Sequence, residues 1–242
     1  MAEQSNRSHA DRSPLADRSS LADQSPLARQ SSLADRSSLA DLLIEAGRDF
    51  YGRGWMLGTS GNLSARLASE PLRLAITASG APKGTLTPGH ILQIDELGNV
   101  TQGTGRPSDE TRLHLTIVRS RQAGAVLHTH SVWSTLLSDA FANQGSLLIE
   151  GFEMLKGLAG VSTHEHSESV PIIDNSQDME ALSLTLEAAL MKYPDAHGVM
   201  LRRHGLYTWG RDLPEAKRHV EILEFLLEVI GRTHLAKGAV TQ

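Results

Sequence analysis

The chain has 242 residues, 40% hydrophobic and 4% aromatic, with a formal net charge of −5 at pH 7; that length holds one domain or two small ones with a real core, and the acidic balance argues against nucleic-acid or anionic-membrane partners. There is no cysteine, so disulfides and thiolate metal sites are excluded and any metal must be held by His, Asp, Glu or water. No apolar run approaches the roughly 20 residues of a membrane span and the N-terminus lacks the apolar core of a secretory signal, so a cytoplasmic protein is expected.

From Ala10 the chain reads ADRSPL, ADRSSL, ADQSPL, ARQSSL, ADRSSL, then ADLLIEAG. Six residues advance an α-helix by about 240° net, so the Leu positions visit three faces and no apolar stripe forms. Pro14 and Pro26 oppose a helix further, and Ser, Asp and Arg are poor strand formers. Residues 1–39 are expected to be a disordered low-complexity extension, with the folded domain at 40–242. "ADLLIEAGRDFYGRGW" then has helical spacing and ends at Gly52 and Gly54. "NLSARL" and "LRLAIT" read as strands with Pro71 between them, and "ILQIDELGNV" as a hairpin turning at Gly98-Asn99. "SDETRLHLTIVRSRQ" reads as a helix with Ser108 as N-cap.

"GAVLHTH" is a strand, "VWSTLLSDAF" a short helix, "VPIID" a strand, and "SQDMEALSLTLEAALMKYP" a helix ended by Pro194. "HGVMLRRHG" and "LYTWG" read as adjacent strands. The last helix opens near Pro214, with Ala216, Val220, Leu223, Leu227 and Ile230 as its stripe. The order predicts one α/β domain with a central, largely antiparallel sheet flanked by helices.

His128 and His130 lie two residues apart, and along a strand i and i+2 share a face about 7 Å apart. They can approach one ion from one surface. His204 also follows an apolar strand, with Gly205 allowing a tight turn. Three imidazoles suit Zn²⁺ or another borderline divalent ion and leave a position open for substrate. His164 and His166 form a second pair in a polar loop, while His90, His114, His197, His219 and His234 are read as structural or solvent-facing. The turns "GTSGNLSAR" and "ITASGAPKG" combine small residues with free N–H groups, which suits an anion as well as plain turn chemistry.

"GNLS", "ASG", "PSDE", "HTH" and "RHG", in this order, resemble the class II aldolase/adducin-like family over about residues 40–236. The resemblance implies that family's α/β fold. It also implies a substrate-phosphate seat at Gly61, Asn62, Ser79, Gly80 and Ser108, and one zinc ion per subunit on His128, His130 and His204. Lys83 is a further candidate for the phosphate. "FEMLKGL", "VPIIDNSQD" and "RRHGLYTWG" are similar to the family's dehydratases, which remove water from a sugar phosphate, and place their acid/base glutamate at Glu153; a salt bridge between Glu153 and Lys156 is the plainer reading of the same residues. "PSDE" departs from dehydratases that carry Cys where Glu110 stands; aldolases of the family have Glu there. Glu110 is therefore a ligand, a proton handler or a wall residue of the substrate site. An aldolase or epimerase on another sugar phosphate, and a non-catalytic adducin-like scaffold, are the competing expectations. The resemblance further implies a homo-oligomer, a tetramer with sites near subunit interfaces.

Overall fold

The computed structural model describes residues 26–240, with side chains placed for 39–236. Helix α1 spans Pro26–Gly52, so it begins 14 residues ahead of the expected start and takes in the last repeat hexads. Proline suits a first helical turn, where its missing N–H has no intrahelical partner, and Ala, Leu, Arg and Gln in the hexads are good helix formers. Residues 1–25, the rest of the expected disordered extension, lie outside the described residues.

Nine strands form one sheet in the order β4-β3-β2-β1-β5-β9-β8-β7-β6: β1 (Asn62–Ser69), β2 (Leu72–Thr77), β3 (Ile91–Asp95), β4 (Val100–Gln102), β5 (Ala125–Thr129), β6 (Ser146–Glu150), β7 (Ser167–Ile173), β8 (Gly198–Leu201) and β9 (Gly205–Gly210). Among the described residues only β7 and β8 pair in parallel, so the largely antiparallel sheet is as expected. β6, "SLLIE", has no counterpart among the predicted elements; it is an edge strand with alternating burial. The other helices are α2 (Thr111–Arg121), α3 (Val132–Ala140), α4 (Met179–Lys192) and α5 (Leu213–Val240).

Alternation along the strands divides the core. Val126, Tyr207 and Trp209 pack with Leu113 and Ile117 of α2 and Leu182 and Leu186 of α4. Ala125 and Leu127 point the other way, onto Leu43 and Phe50 of α1 and Ala216 and Val220 of α5. Met200 and Leu206 meet Leu137 of α3 and Leu223 and Leu227 of α5. Burying such side chains contributes about 1.5–3 kcal/mol each, and it fixes β5, at the middle of the sheet, between two helical layers.

Helix α2 starts at Thr111, with Glu110 rather than Ser108 at its N-cap and no side-chain cap bond. The Ser108 hydroxyl instead accepts from the Glu110 N–H at 3.3 Å, and the Thr111 N–H reaches the Ser108 carbonyl at 3.0 Å. A turn ahead of the helix thus aims the Glu110 carboxylate at the sheet.

Candidate metal centre

Strand direction assembles the site. β1 and β9 run antiparallel to β5 on either side, so the end of β5 meets the beginnings of both. His128 is the fourth residue of β5, opposite Asn62 and Tyr207. His130 lies just past the strand and is anchored by its N–H on the Trp55 carbonyl at 2.7 Å. His204 sits in the β8–β9 turn, past the end of the apolar strand β8 as expected and one residue after Arg203, whose φ is +56°.

The three Nε2 atoms converge. His128 and His130 are 2.8 Å apart, His130 and His204 3.0 Å, and His128 and His204 3.3 Å. Glu110 Oε1 lies 3.1 Å from His204 Nε2 and 3.6 Å from His128 Nε2. The Nδ1 of His128 faces the Leu206 carbonyl at 3.0 Å, an acceptor only, so Nδ1 carries the proton and the Nε2 lone pair faces the cluster. His204 repeats the arrangement with Asn175 Oδ1 at 3.4 Å. The ligand atoms all lie within 4.8 Å of one another. Lone pairs turned inward beside a carboxylate fit a divalent cation: ligand bonds of about 2.0–2.1 Å to a tetrahedral ion put nitrogens roughly 3.3 Å apart.

Electrostatics agree with that fit. Burial pushes the Glu110 carboxyl up, but the neighbouring His128 and His204 outweigh it and hold Glu110 well below the usual carboxylate range. Burial, then His128 and His204, push His130 down to about 3, so its imidazole is neutral and free to bind a metal. The His128 ring is stacked on the Tyr207 ring, with centroids 3.8 Å apart and planes 9° apart.

A buried polar chain supports Glu110. Asn62 donates to Glu110 Oε2 at 2.5 Å and to Ser108 Oγ at 3.2 Å. The Asn62 Oδ1 accepts from His114 Nε2, and His114 Nδ1 meets Ser64 Oγ at 2.7 Å. Reading His114 as merely structural or solvent-facing misses this place in the chain. It is fully buried, and burial, with His128 nearby, pushes it down to about 3. The available signal is its spacing: positions 110 and 114 share a helix face.

The small-residue turns border the cluster. Gly61 has φ +70°, and a Cβ there would lie 2.5 Å from the His128 carbonyl oxygen; only glycine permits that approach. Gly80 has φ +72°, and the Ser79 N–H is taken by the Arg106 carbonyl at 2.9 Å. Lys83 is only 1% exposed and joins the two turns, donating to Thr59 O at 2.8 Å and Ala81 O at 2.9 Å. Burial pushes its ammonium down to about 8, against the pull of Glu110.

Glu153 lies elsewhere. β7 ends at the cluster's end of the sheet, and β6 runs antiparallel to it, so β6 carries the chain away and the 3-10 turn Glu153–Gly157 follows at the opposite end. Its side chain is 74% exposed and pairs with Lys156 at 2.9 Å and His164 at 3.8 Å. Lys156 holds the carboxyl below its ordinary value. The plainer reading of Glu153, an ion pair three residues on, is thus seen within one chain.

A nine-stranded sheet layered with helices, carrying a His₃ cluster with a carboxylate at the end of its central strand, defines a class. Residues 41–230 match the family described as Class II Aldolase and Adducin N-terminal domain, and the chain belongs to that family. It is similar to the methylthioribulose-1-phosphate dehydratases of Methylococcus capsulatus (45% identical, covering 81% of this chain and 94% of that one) and Pseudomonas syringae pv. syringae (46%, covering 77% and 90%). Among solved structures it resembles YgbL from Escherichia coli (TM-score 0.67, 27% identical, covering 80% and 88%). The L-fuculose-1-phosphate aldolase from Thermus thermophilus (TM-score 0.67, 24% identical, covering 84% and 98%) shares the fold.

Proposed function

We propose that the chain is a hydro-lyase of methionine salvage that converts 5-methylthioribulose 1-phosphate to 2,3-diketo-5-methylthiopentyl 1-phosphate. The relatives named methylthioribulose-1-phosphate dehydratase span most of both chains. The observation that carries a metal-assisted mechanism is the convergence of three Nε2 lone pairs on one point. His128, His130 and His204 would hold one Zn²⁺ per chain, with Glu110 as the adjoining carboxylate, and the bound ion supplies Lewis acidity toward the C2 oxygen.

The remaining chemistry belongs to side chains. Gly61, Ser79 and Gly80 seat the phosphate, with Lys83 as the cation beside them. Asn62 and Ser108, whose side chains hold Glu110, form the wall between the phosphate and the metal. Glu153 takes the C3 proton as general base. The C3–H electron pair becomes the C3–C4 double bond as the C4 oxygen leaves, and protonated Glu153 gives that oxygen its proton. The resulting enol relaxes to the second ketone.

Glu153 sits at the far end of its own sheet, so it can serve a cluster only in another copy. This agrees with the homotetramer and interface sites that the family resemblance implies. A cytoplasmic location belongs to the same proposal. No helix among the described residues is long and apolar enough to cross a membrane.

One observation favours a second reading: the carboxylate at position 110, as in the family's aldolases, within 3.6 Å of two imidazoles. Incubating the purified protein with methylthioribulose 1-phosphate separates the two. Loss of water and appearance of the diketone is expected; release of an aldehyde would make it an aldolase.

A further inference from the structure

Helix α5 buries a carboxyl in its apolar face. Glu224 is 2% exposed, and its buried neighbours along the same stretch of the helix are Val220, Leu223, Leu226 and Leu227. A buried carboxyl is costly unless it is hydrogen-bonded, and leucine would fill the position without that cost. Glu224 has specific partners. The Thr129 hydroxyl donates to its Oε1 at 2.5 Å. The Ser131 hydroxyl faces the same carboxyl but donates to Ser134 Oγ at 3.0 Å, which leaves Glu224 Oε2 buried without a hydrogen bond. Burial pushes Glu224 up to about 7, with Ser131 and Thr129 drawing it back.

Thr129 and Ser131 flank His130 in the chain. Along β5, Thr129 points at α5 while His128 points at the opposite face. Beyond Thr129 the strand ends, and outside the sheet the backbone that presents His130 is held by its own N–H on the Trp55 carbonyl. The Ser131 side chain also caps α3, accepting from the Ser134 N–H at 3.0 Å, and Thr135 donates to the carbonyls of both Ser131 and His204. Glu224 is thus a second anchor behind the segment 129–131, reached across the sheet from the site.

We infer that Glu224 is a positioning residue of the metal centre, acting through the Thr129 hydroxyl to hold the His128–His130 segment in register for binding. The inference rests on the reading of the histidine cluster as a metal site. Groups that orient metal ligands typically contribute 10–100-fold in affinity, and an anchor one residue further back belongs at the lower end.

The test is Zn²⁺ affinity by competition with a chromophoric chelator, on the full chain, with thermal unfolding of the metal-free protein alongside. Glu224→Leu is expected to weaken Zn²⁺ binding about tenfold while its unfolding midpoint stays at or above the parent's. Glu224→Gln keeps an acceptor for Thr129 and should recover affinity to within about threefold, the scale of one neutral hydrogen bond. Thr129→Val should match the Leu variant, and the double variant Glu224→Leu/Thr129→Val should lose no more than either alone, since both remove one interaction. Parent-like affinity in a folded Leu variant overturns the inference, as does additive loss in the double variant. If the Leu variant fails to fold, Thr129→Val decides alone: weakened binding upholds the anchor and unchanged binding overturns it. A parent protein that takes up no Zn²⁺ overturns the metal reading and this inference together; a parent that binds while the variants bind equally well overturns only the inference.

Discussion

At the scale of single residues, two carboxylates divide the proposed chemistry. Glu110 is half-buried, fixed by Asn62 and set against two imidazoles; Glu153 is exposed and ion-paired with its neighbours Lys156 and His164. Glu153→Gln should fold and keep its metal, because neither packing nor the cluster involves it. Turnover should fall by about 10²–10⁴-fold, the usual contribution of general acid–base catalysis. Retained turnover with intact metal would pass the proton role to Glu110. His197 allows a test of charge away from the cluster. Its Nδ1 faces Glu168 Oε2 at 3.0 Å and its Nε2 faces the Ala159 carbonyl at 2.8 Å. Both partners only accept, so both ring nitrogens donate and the ring is an imidazolium. Burial opposes that charge, but Glu168 and the Ala159 carbonyl outweigh it and raise the group above its ordinary value. A raised histidine contributes stability that is complete below the unfolded value of about 6.5 and is lost as pH rises through the folded value. Urea midpoints measured upward from about pH 6 should therefore fall more steeply in the parent than in His197→Gln; parallel slopes would show that the ring is neutral.

At the scale of elements, the site depends on two close backbone approaches. Gly61 brings the start of β1 onto the His128 carbonyl, and Gly205 brings the start of β9 onto the Thr129 carbonyl. Gly61→Ala adds a Cβ at positive φ, against a backbone atom that cannot turn aside. A cost of roughly 1–3 kcal/mol is expected for the strained conformation, with the unfolding midpoint and Zn²⁺ affinity falling together because β5 must shift. Gly80 has a similar φ but nothing within 4 Å of a built Cβ. Gly80→Ala should strain the turn yet leave metal affinity as it was, and a matched loss in both variants would show that proximity to His128 is not what matters at Gly61.

For the whole molecule, the end-to-end separation of Glu153 from the histidine cluster makes assembly part of the proposed mechanism. Glu153→Gln and His204→Ala should each be inactive. Mixed as equal parts and allowed to exchange subunits, they should regain about a quarter of parental activity, since a shared site needs an intact residue from each of two chains. No recovery, with exchange shown by mass, would place the whole site in one chain. The N-terminal repeat stands outside this scheme. Among the described side chains of α1, Leu39, Leu43 and Ile44 pack on the core; deleting residues 1–36 removes none of them and should leave turnover and oligomeric mass unchanged, and a drop in either would show that the hexads pack or assemble the enzyme.

What the sequence determines by itself is local or periodic. The hairpin at Gly98-Asn99, the strand "AVLHT" and the stripe of α5 follow from spacing, and the three histidines of the cluster follow from their places at strand ends. The start of α1 escapes such a reading because the hexads lack an apolar stripe, and a helix can extend on propensity without one. Other features arise only when distant segments meet. The strand order puts Asn62 opposite His128 and turns Glu110 onto both; it hides Lys83 between two loops, stacks Tyr207 on His128, and carries Glu153 to the other end of the sheet. Those relations depend on register and strand direction, which bring together residues 48 or 78 positions apart, and no local pattern encodes them, because side-chain alternation says which face a residue takes but never which strand lies beside it.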